Sequence, residues 1–179
     1  MITYHLGPDD GTLSVHTKRS GAAAMAGHNL LIHVTKWDAT LELGGRGTRV
    51  ELNVDGGSLK VIDGSGGVQA LQDEDKENIE QTIDDEVLER RPVTFRSNEV
   101  KLAADAAGLH VAGDLTLLEA TRPMTFYLAI TAEGGLRAAA VVKQTDWGMK
   151  PYTGLFGALK VVDEVEVELE ATLPEPQSE

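Results

Sequence analysis

The sequence predicts an all-β fold, about eight or more antiparallel strands in a barrel or sandwich, with a single helix. Three observations carry this reading. Alternating apolar and polar residues recur at strand spacing along most of the 179 residues. Glycine-rich turns, drawn from 19 glycines, separate the alternations. One stretch, about residues 73–91, instead repeats its apolar residues at helical steps.

Taken in order, Gly7-Pro8-Asp9-Asp10-Gly11 reads as a turn, and Leu13, Val15 and Thr17 share one face of the strand after it. Gly21-Ala22-Ala23-Ala24-Met25-Ala26-Gly27 is one helical turn or an irregular loop. His28 to Leu43 is a long strand whose phase switches: Leu30, Ile32 and Val34 have one parity, Trp37, Ala39, Leu41 and Leu43 the other. A switch of this kind marks a bulge or bend, here near Thr35-Lys36, and small barrels need bends to curl. Gly44-Gly45-Arg46-Gly47 is expected to close a hairpin onto Val50, Leu52 and Val54. Asp55-Gly56-Gly57 is expected to turn again into Leu59 and Val61, with glycine supplying the positive φ of a tight hairpin. Residues 63–67 are a flexible break.

The helix follows. Asp73 or Asp75 can cap it, and Ile79, Ile83 and Val87 form one apolar stripe with Leu88 beside them. Pro92 forbids continuation, and Arg90 and Arg91 suit the negative helix end. The acidic remainder reads as a solvated outer face. Val93, Phe95, Val100 and Leu102 make a strand pair or one bulged strand, with the phase shift near Ser97-Asn98. Asp105-Ala106-Ala107-Gly108 turns into a central hairpin. Its first strand places Leu109, Val111, Leu115 and Leu117 on one parity; its second does so for Met124, Phe126, Leu128 and Ile130. Glu119 to Arg122 is the connection, and Pro123 stands at the entry of the second strand, where a missing N–H does least harm. A strand over Ala138 to Thr145 comes next, then an aromatic and glycine-rich loop, Asp146 to Gly157. Val165, Val167, Leu169, Ala171 and Leu173 alternate with glutamates in a last strand. Residues 1–173 read as one domain and 174–179 as a frayed tail.

Composition excludes several functions. There is no cysteine, hence no disulfide, thiolate metal site or cysteine nucleophile. A formal net charge of -13 argues against nucleic acid or an anionic membrane surface as partner. No apolar run approaches a membrane span, and the first residues lack a signal-peptide pattern, so the expected location is the cytoplasm. The five histidines show no metal-ligand spacing, and no nucleophile elbow or phosphate loop is present. The sequence implies no cofactor and no catalytic residue. His16 and His28 approach one another if their strands are neighbours.

Several segments together carry a family resemblance. Val111-Ala112-Gly113-Asp114-Leu115-Thr116-Leu117 followed by Thr121-Arg122-Pro123-Met124-Thr125-Phe126 resembles the central hairpin of the YceI-like, polyisoprenoid-binding family. Arg91-Pro92-Val93-Thr94-Phe95-Arg96-Ser97, Asp146-Trp147-Gly148-Met149 and Val162-Asp163-Glu164-Val165 are similar to further segments of it, in order along nearly the whole chain. The His-Ser pair of the N-terminal strand in many members is missing; Gly11-Thr12-Leu13-Ser14-Val15 stands in that region. The resemblance implies an extended eight-stranded antiparallel lipocalin-like barrel whose apolar tunnel takes a long isoprenoid chain.

An isoprenoid tail offers no hydrogen bonds, so its tunnel needs inward aliphatic and aromatic side chains. The candidates are Leu30, Ile32, Val34, Val50, Leu52, Phe95, Leu115, Leu117, Met124, Phe126, Leu128, Val141, Trp147 and Phe156. A solid core would select the same residues; an aromatic content of only 4% leaves few large side chains to plug a tunnel. At the mouth, His28, Arg96, Asn98, Arg122 and Lys143 are candidates to meet a polar head group. The leading expectation is therefore non-catalytic binding, storage or transport of a polyisoprenoid, isoprenoid quinone or similar lipid. The alternative is a ligand-free structural or interaction module, as a homodimer, in a stress or envelope-lipid setting. A weaker third reading is an enzyme on a lipid substrate using His28 or His16.

Overall fold

A computed structural model describes residues 2–44, 47–104 and 107–176. The strands, in chain order, are β1 (Ile2–Leu6), β2 (Gly11–Thr17), β3 (Arg19–Ser20), β4 (Asn29–Val34), β5 (Trp37–Leu43), β6 (Arg49–Val54) and β7 (Leu59–Ser65). After the helix α1 (Asp73–Thr82) come β8 (Val93–Leu102), β9 (Gly108–Leu117), β10 (Ala120–Ile130), β11 (Gly135–Lys143), β12 (Thr153–Gly154), β13 (Leu159–Val161) and β14 (Glu164–Thr172). The fold is all-β with one helix, built on a curled antiparallel sheet. Among the described residues eleven strands form that sheet, in the order β1-β5-β6-β8-β9-β10-β11-β14-β2-β4-β7. A second sheet of three short strands runs β12-β13-β3.

Eleven strands stand where eight are expected, and the excess has a local cause. Short irregular links at 7–10, 35–36 and 55–58 each divide a longer run of strand. β1 and β2 pair with β5 and β4, and β6 and β7 pair with the same two strands. The residues at 55–58 therefore do not close a hairpin, because β6 and β7 are not each other's neighbours. Nor does Gly56 serve a positive φ; a Cβ there would lie 1.9 Å from the Arg91 carbonyl oxygen, so close approach is what selects glycine. Only Thr35 and Lys36 join β4 to β5, near opposite ends of the strand order, which is how the sheet curls back towards itself. The bend falls where the hydrophobic phase switches. Gly45, Arg46, Asp105 and Ala106 of the expected turns, and residues 177–179 of the expected tail, lie outside the described residues.

The central hairpin is tighter than expected. β9 and β10 pair from Leu117↔Ala120 down to Gly108↔Ala129, so the connection is Leu118 and Glu119 alone, with Leu118 at φ 52°. Pro123 lies within β10 rather than at its entry. It still lacks a competing donor requirement, because β11 pairs with β10 only from Tyr127 onward. β8 is one strand with its register shifted between Ser97 and Glu99.

The helix also departs from its expected form. Gln72, not Asp73 or Asp75, is the N-cap; the Asp75 carboxylate accepts from the Gln72 N–H at 2.9 Å. The regular α-helix stops at Thr82, and Ile83–Val87 continue as a π-helical turn. Glu89 and Arg90, at φ 52° and 54°, end it before Pro92. Arg90 pairs with Asp84 and Asp85, and Arg91 with Glu89 and Glu119, instead of meeting the helix end. The helix covers the outer edge of β7. Glu80 accepts from the Val61 N–H at 2.9 Å and pairs with the Lys60 ammonium at 2.7 Å, and the Lys76 ammonium donates to the Ile62 carbonyl at 3.1 Å. An unpaired strand edge is thereby closed with side chains.

Candidate functional site

The inward face of the sheet and the apolar stripe of the helix enclose a cavity of about 820 Å³. Its wall is a consequence of strand parity. Val15 on β2, Leu30 and Ile32 on β4, Leu52 on β6, Leu115 and Leu117 on β9, Met124 and Phe126 on β10, and Val165 and Val167 on β14 all turn to it. Ile79, Ile83 and Val87 close it from the helix side. The Phe95 and Phe126 rings meet at 5.2 Å and form an aromatic patch in a mostly aliphatic wall.

Of the fourteen expected tunnel residues, eleven line this cavity: Leu30, Ile32, Val34, Val50, Leu52, Phe95, Leu115, Leu117, Met124, Phe126 and Leu128. Three do not. Val141 points outward and is exposed; Val142 lines the wall in its place. The residues before it, Ala138 to Ala140, give no contrast between the faces, so the parity of β11 was not legible. Trp147 is buried beside the cavity wall, where its indole N–H donates to the Leu115 carbonyl at 2.9 Å. Phe156 is fully exposed in a short turn between β12 and β13.

The expected polar mouth is mostly dispersed. Among its residues His28 borders the cavity, its Nε2 2.8 Å from the Gln69 carbonyl. Arg96 pairs with Glu51 at 3.5 Å, and Asn98 donates to Asp114 at 3.5 Å, both on the outer surface. Arg122 donates from Nε to the Asp146 carbonyl at 3.2 Å. Lys143 is exposed at the end of β11. All four lie outside the cavity lining: strand parity turns Arg96 and Lys143 outward, Asn98 sits at the register shift of β8, and Arg122, although it shares the parity of Met124, is exposed near the start of β10.

Sequence reasoning missed several lining residues. Ala138 and Ala140 leave room rather than fill it, and nothing in an alanine announces a wall. The stripe Ile79–Ile83–Val87 was legible as an apolar face packed on the sheet, and its period was the signal; the open space between the two was not legible. Gln144 also lines the cavity, but its side-chain amide donates to the Val162 and Asp163 carbonyls, both at 3.2 Å, and so is engaged with backbone. Arg19, at the rim, donates to the Gly27 carbonyl.

Lys60 and Asp163, whose pKa values are shifted, lie outside the cavity lining. Hydrogen bonding to Glu80, then its charge, raises the Lys60 pKa; this pair lies on the edge of β7. The Asp163 carboxyl is held below its ordinary value, first by the Thr145 hydroxyl at 2.5 Å. The Thr145 N–H also donates to it at 2.9 Å, which fixes the turn leading to Trp147.

The histidines are not gathered at the cavity. His28 borders the cavity, whereas His16 does not line it. Ser14 Oγ and a Glu168 oxygen both contact Nε2 of His16, at 3.3 and 3.1 Å. A relay needs the two partners on different ring nitrogens, so this trio is a part-buried hydrogen-bond cluster. Among the described residues no group of three or more potential metal ligands occurs, and no helix is long and apolar enough to cross a membrane.

The chain matches the model of the YceI-like domain over residues 4–173. Among solved structures it is similar to BcnA of Burkholderia cenocepacia, at 14% identity and a TM-score of 0.64, over 89% of this chain and 94% of that one. It is also similar to a YCEI protein of Campylobacter jejuni, at 13% identity and a TM-score of 0.58, over 83% and 85% of the two chains. A polyisoprenoid binding domain from Saccharophagus degradans, implicated in plant cell wall breakdown, is similar at 12% identity with a TM-score of 0.54, over 96% and 98%. At these identities the likeness is one of fold. No curated sequence matches the chain.

Proposed function

We propose, from the premise that the chain belongs to the YceI-like family, that it binds and carries a long apolar molecule in its cavity without catalysis. The ligand class is a polyisoprenoid, an isoprenoid quinone or a similar lipid. The carrying observation is the cavity itself: about 820 Å³, walled by aliphatic side chains from both the curled sheet and the helix. That size is within the usual range for small-molecule sites, and burial against such a wall is favourable in proportion to the apolar area removed from water. In this reading the three interrupted runs act as single long strands, and the wall works as an eight-stranded barrel. The polyisoprenoid-binding description of the Saccharophagus degradans domain supports the ligand class. A solidly packed module is disfavoured by the same cavity.

The test is chemical. Organic extracts of the purified protein, analysed by mass spectrometry, are expected to contain a long-chain apolar species at near-stoichiometric amount. A delipidated sample is expected to take up a polyprenol or long-chain quinone from detergent solution. Clean extracts together with failed uptake would end the proposal.

A further inference from the structure

We propose that the cavity mouth is a membrane-docking face, which engages the surface of a lipid bilayer through exposed apolar side chains set in a basic rim. The inference rests on the lipid-binding reading and adds the source from which the lipid enters. Three loops meet at this mouth. β3 pairs with β13 through Arg19↔Val161, and the Ala23 N–H donates to the Ala158 carbonyl at 2.8 Å. His28 joins the third loop through the Gln69 carbonyl. His28, Val68, Tyr152 and Leu159 border the cavity itself, so the loops are continuous with its opening.

Each loop carries a large apolar side chain in water. Met25 is 76% exposed, Val68 78%, Leu155 57% and Phe156 112%. Scattered single hydrophobes need no explanation, but several around one opening do. Leu155 and Phe156 are also held at φ 49° and 55°, a left-handed backbone that bulky residues rarely take. Strain of this kind persists where a function or the surroundings require it.

Charge singles out the same place. The chain has 29 acidic residues, yet none falls within 17–30, 64–72 or 147–162, the segments that build the mouth. Those segments hold Lys18, Arg19, Lys150 and Lys160. Among the described residues Arg19 has no carboxylate within ion-pair distance. Asp75, in the first turn of the helix, does border the cavity, and its carboxylate is engaged with the Gln72 N–H. A net charge of -13 therefore argues against adhesion by the molecule as a whole, while its distribution turns this one face towards an anionic surface. Apolar residues beside basic ones are what interfacial binding needs.

The test is flotation of the full chain with phosphatidylcholine vesicles, with and without phosphatidylglycerol. The wild-type protein is expected to float with both and more strongly with the anionic vesicles. The Leu155→Asn/Phe156→Asn variant keeps a residue type that tolerates left-handed backbone; it is expected to bind about tenfold more weakly or worse, as burial of two large apolar side chains is lost. A separate Phe156→Trp variant is expected to shift its emission to shorter wavelength on vesicle addition, against a background of the buried Trp37 and Trp147. No flotation with either vesicle, or an unshifted emission from the Phe156→Trp variant together with undiminished binding by the double variant, would overturn docking. Polyprenol uptake from detergent, measured on the same samples, reports the cavity alone, so failure of docking and failure of lipid binding are told apart.

Discussion

The same strands build two unlike ends. At the floor, Leu6, Leu41, Leu109, Val111 and Leu136 are buried in the core, and none of them lines the cavity. At the other end Leu117, Met124, Val142 and Val165 face the cavity and, across it, the helix. β9 takes part in both, with Leu109 and Val111 at the floor and Leu115 and Leu117 at the cavity. The floor is held by side-chain packing added to the strand ladder. The cavity wall is held by the ladder first, so its side chains are free to serve a ligand.

Truncations should separate the ends most clearly. Leu136→Ala, at the floor, is expected to cost about 2–5 kcal/mol, because the neighbours collapse only partly onto the lost volume. Leu117→Ala, at the cavity, is expected to cost about 2 kcal/mol or less, since it enlarges an existing space and gives up fewer contacts. Urea unfolding of both variants measures this, and equal costs would erase the distinction.

Enlargement should give the reverse contrast. Ala171 on the floor is so close to β2 that a Cβ at Gly11 would lie 2.4 Å from its own. Ala171→Phe is expected to destabilise by about 1–3 kcal/mol or more through overpacking. Ala140→Phe places the same ring in the cavity and is expected to change stability by less than about 1 kcal/mol. It should abolish co-purification of lipid. Thermal unfolding and extraction on the two variants decide it; a severely unstable Ala140→Phe would mean that the cavity is not available space.

A subtler version of the contrast sets strand wall against helix wall. No described residue of the helix, in its regular or its π-wound part, is buried, although Ile79, Ile83 and Val87 face the cavity. Its attachment depends on a few side-chain links, with Glu80 at the centre. A bound apolar chain is expected to slow amide exchange in residues 76–88 more than in β9. Glu80→Gln, which weakens the links to Lys60 and Val61, is expected to loosen the helix by about 1 kcal/mol while leaving β9 protection unchanged.

This asymmetry also governs how much could be read in the sequence. Alternation exposed the walls, because a residue such as Leu115 or Val167 is apolar between polar neighbours. The bend at Thr35-Lys36 was legible from the phase switch. The links at 7–10 and 55–58 looked like hairpin turns, since Gly and Asp mark a bulge and a turn alike; which strands pair is a long-range fact that local residues do not carry. The candidate site was legible where parity was marked and lost where it was not, as at Val141 among alanines. Polar residues of the mouth misled for a related reason. Arg96, Arg122 and Lys143 are chemically apt for a head group, but strand parity turns Arg96 and Lys143 to solvent, and Arg122 is exposed where β10 begins.

The smallest expected effect sits where the wall gives way to the mouth. Asp163 accepts from the Thr145 N–H and hydroxyl and so holds the turn that seats Trp147 and starts the loop towards Phe156. These hydrogen bonds favour the ionised carboxylate, which lowers its pKa from the ordinary 3.8. The sign follows from linkage: the stabilisation is fully present above the unfolded value and is lost as pH falls through the lower folded value. At neutral pH the turn is therefore fastened, and acid should release it only below pH 3.8. The Thr145 amide resonance, followed from neutral pH downward, is expected to titrate with a midpoint under that value, and Asp163→Asn is expected to remove the transition. The floor residue Leu136 should not sense it. A midpoint at or above 3.8, or one shared by Leu136, would show that the mouth loosens with the whole fold and not as a separate end.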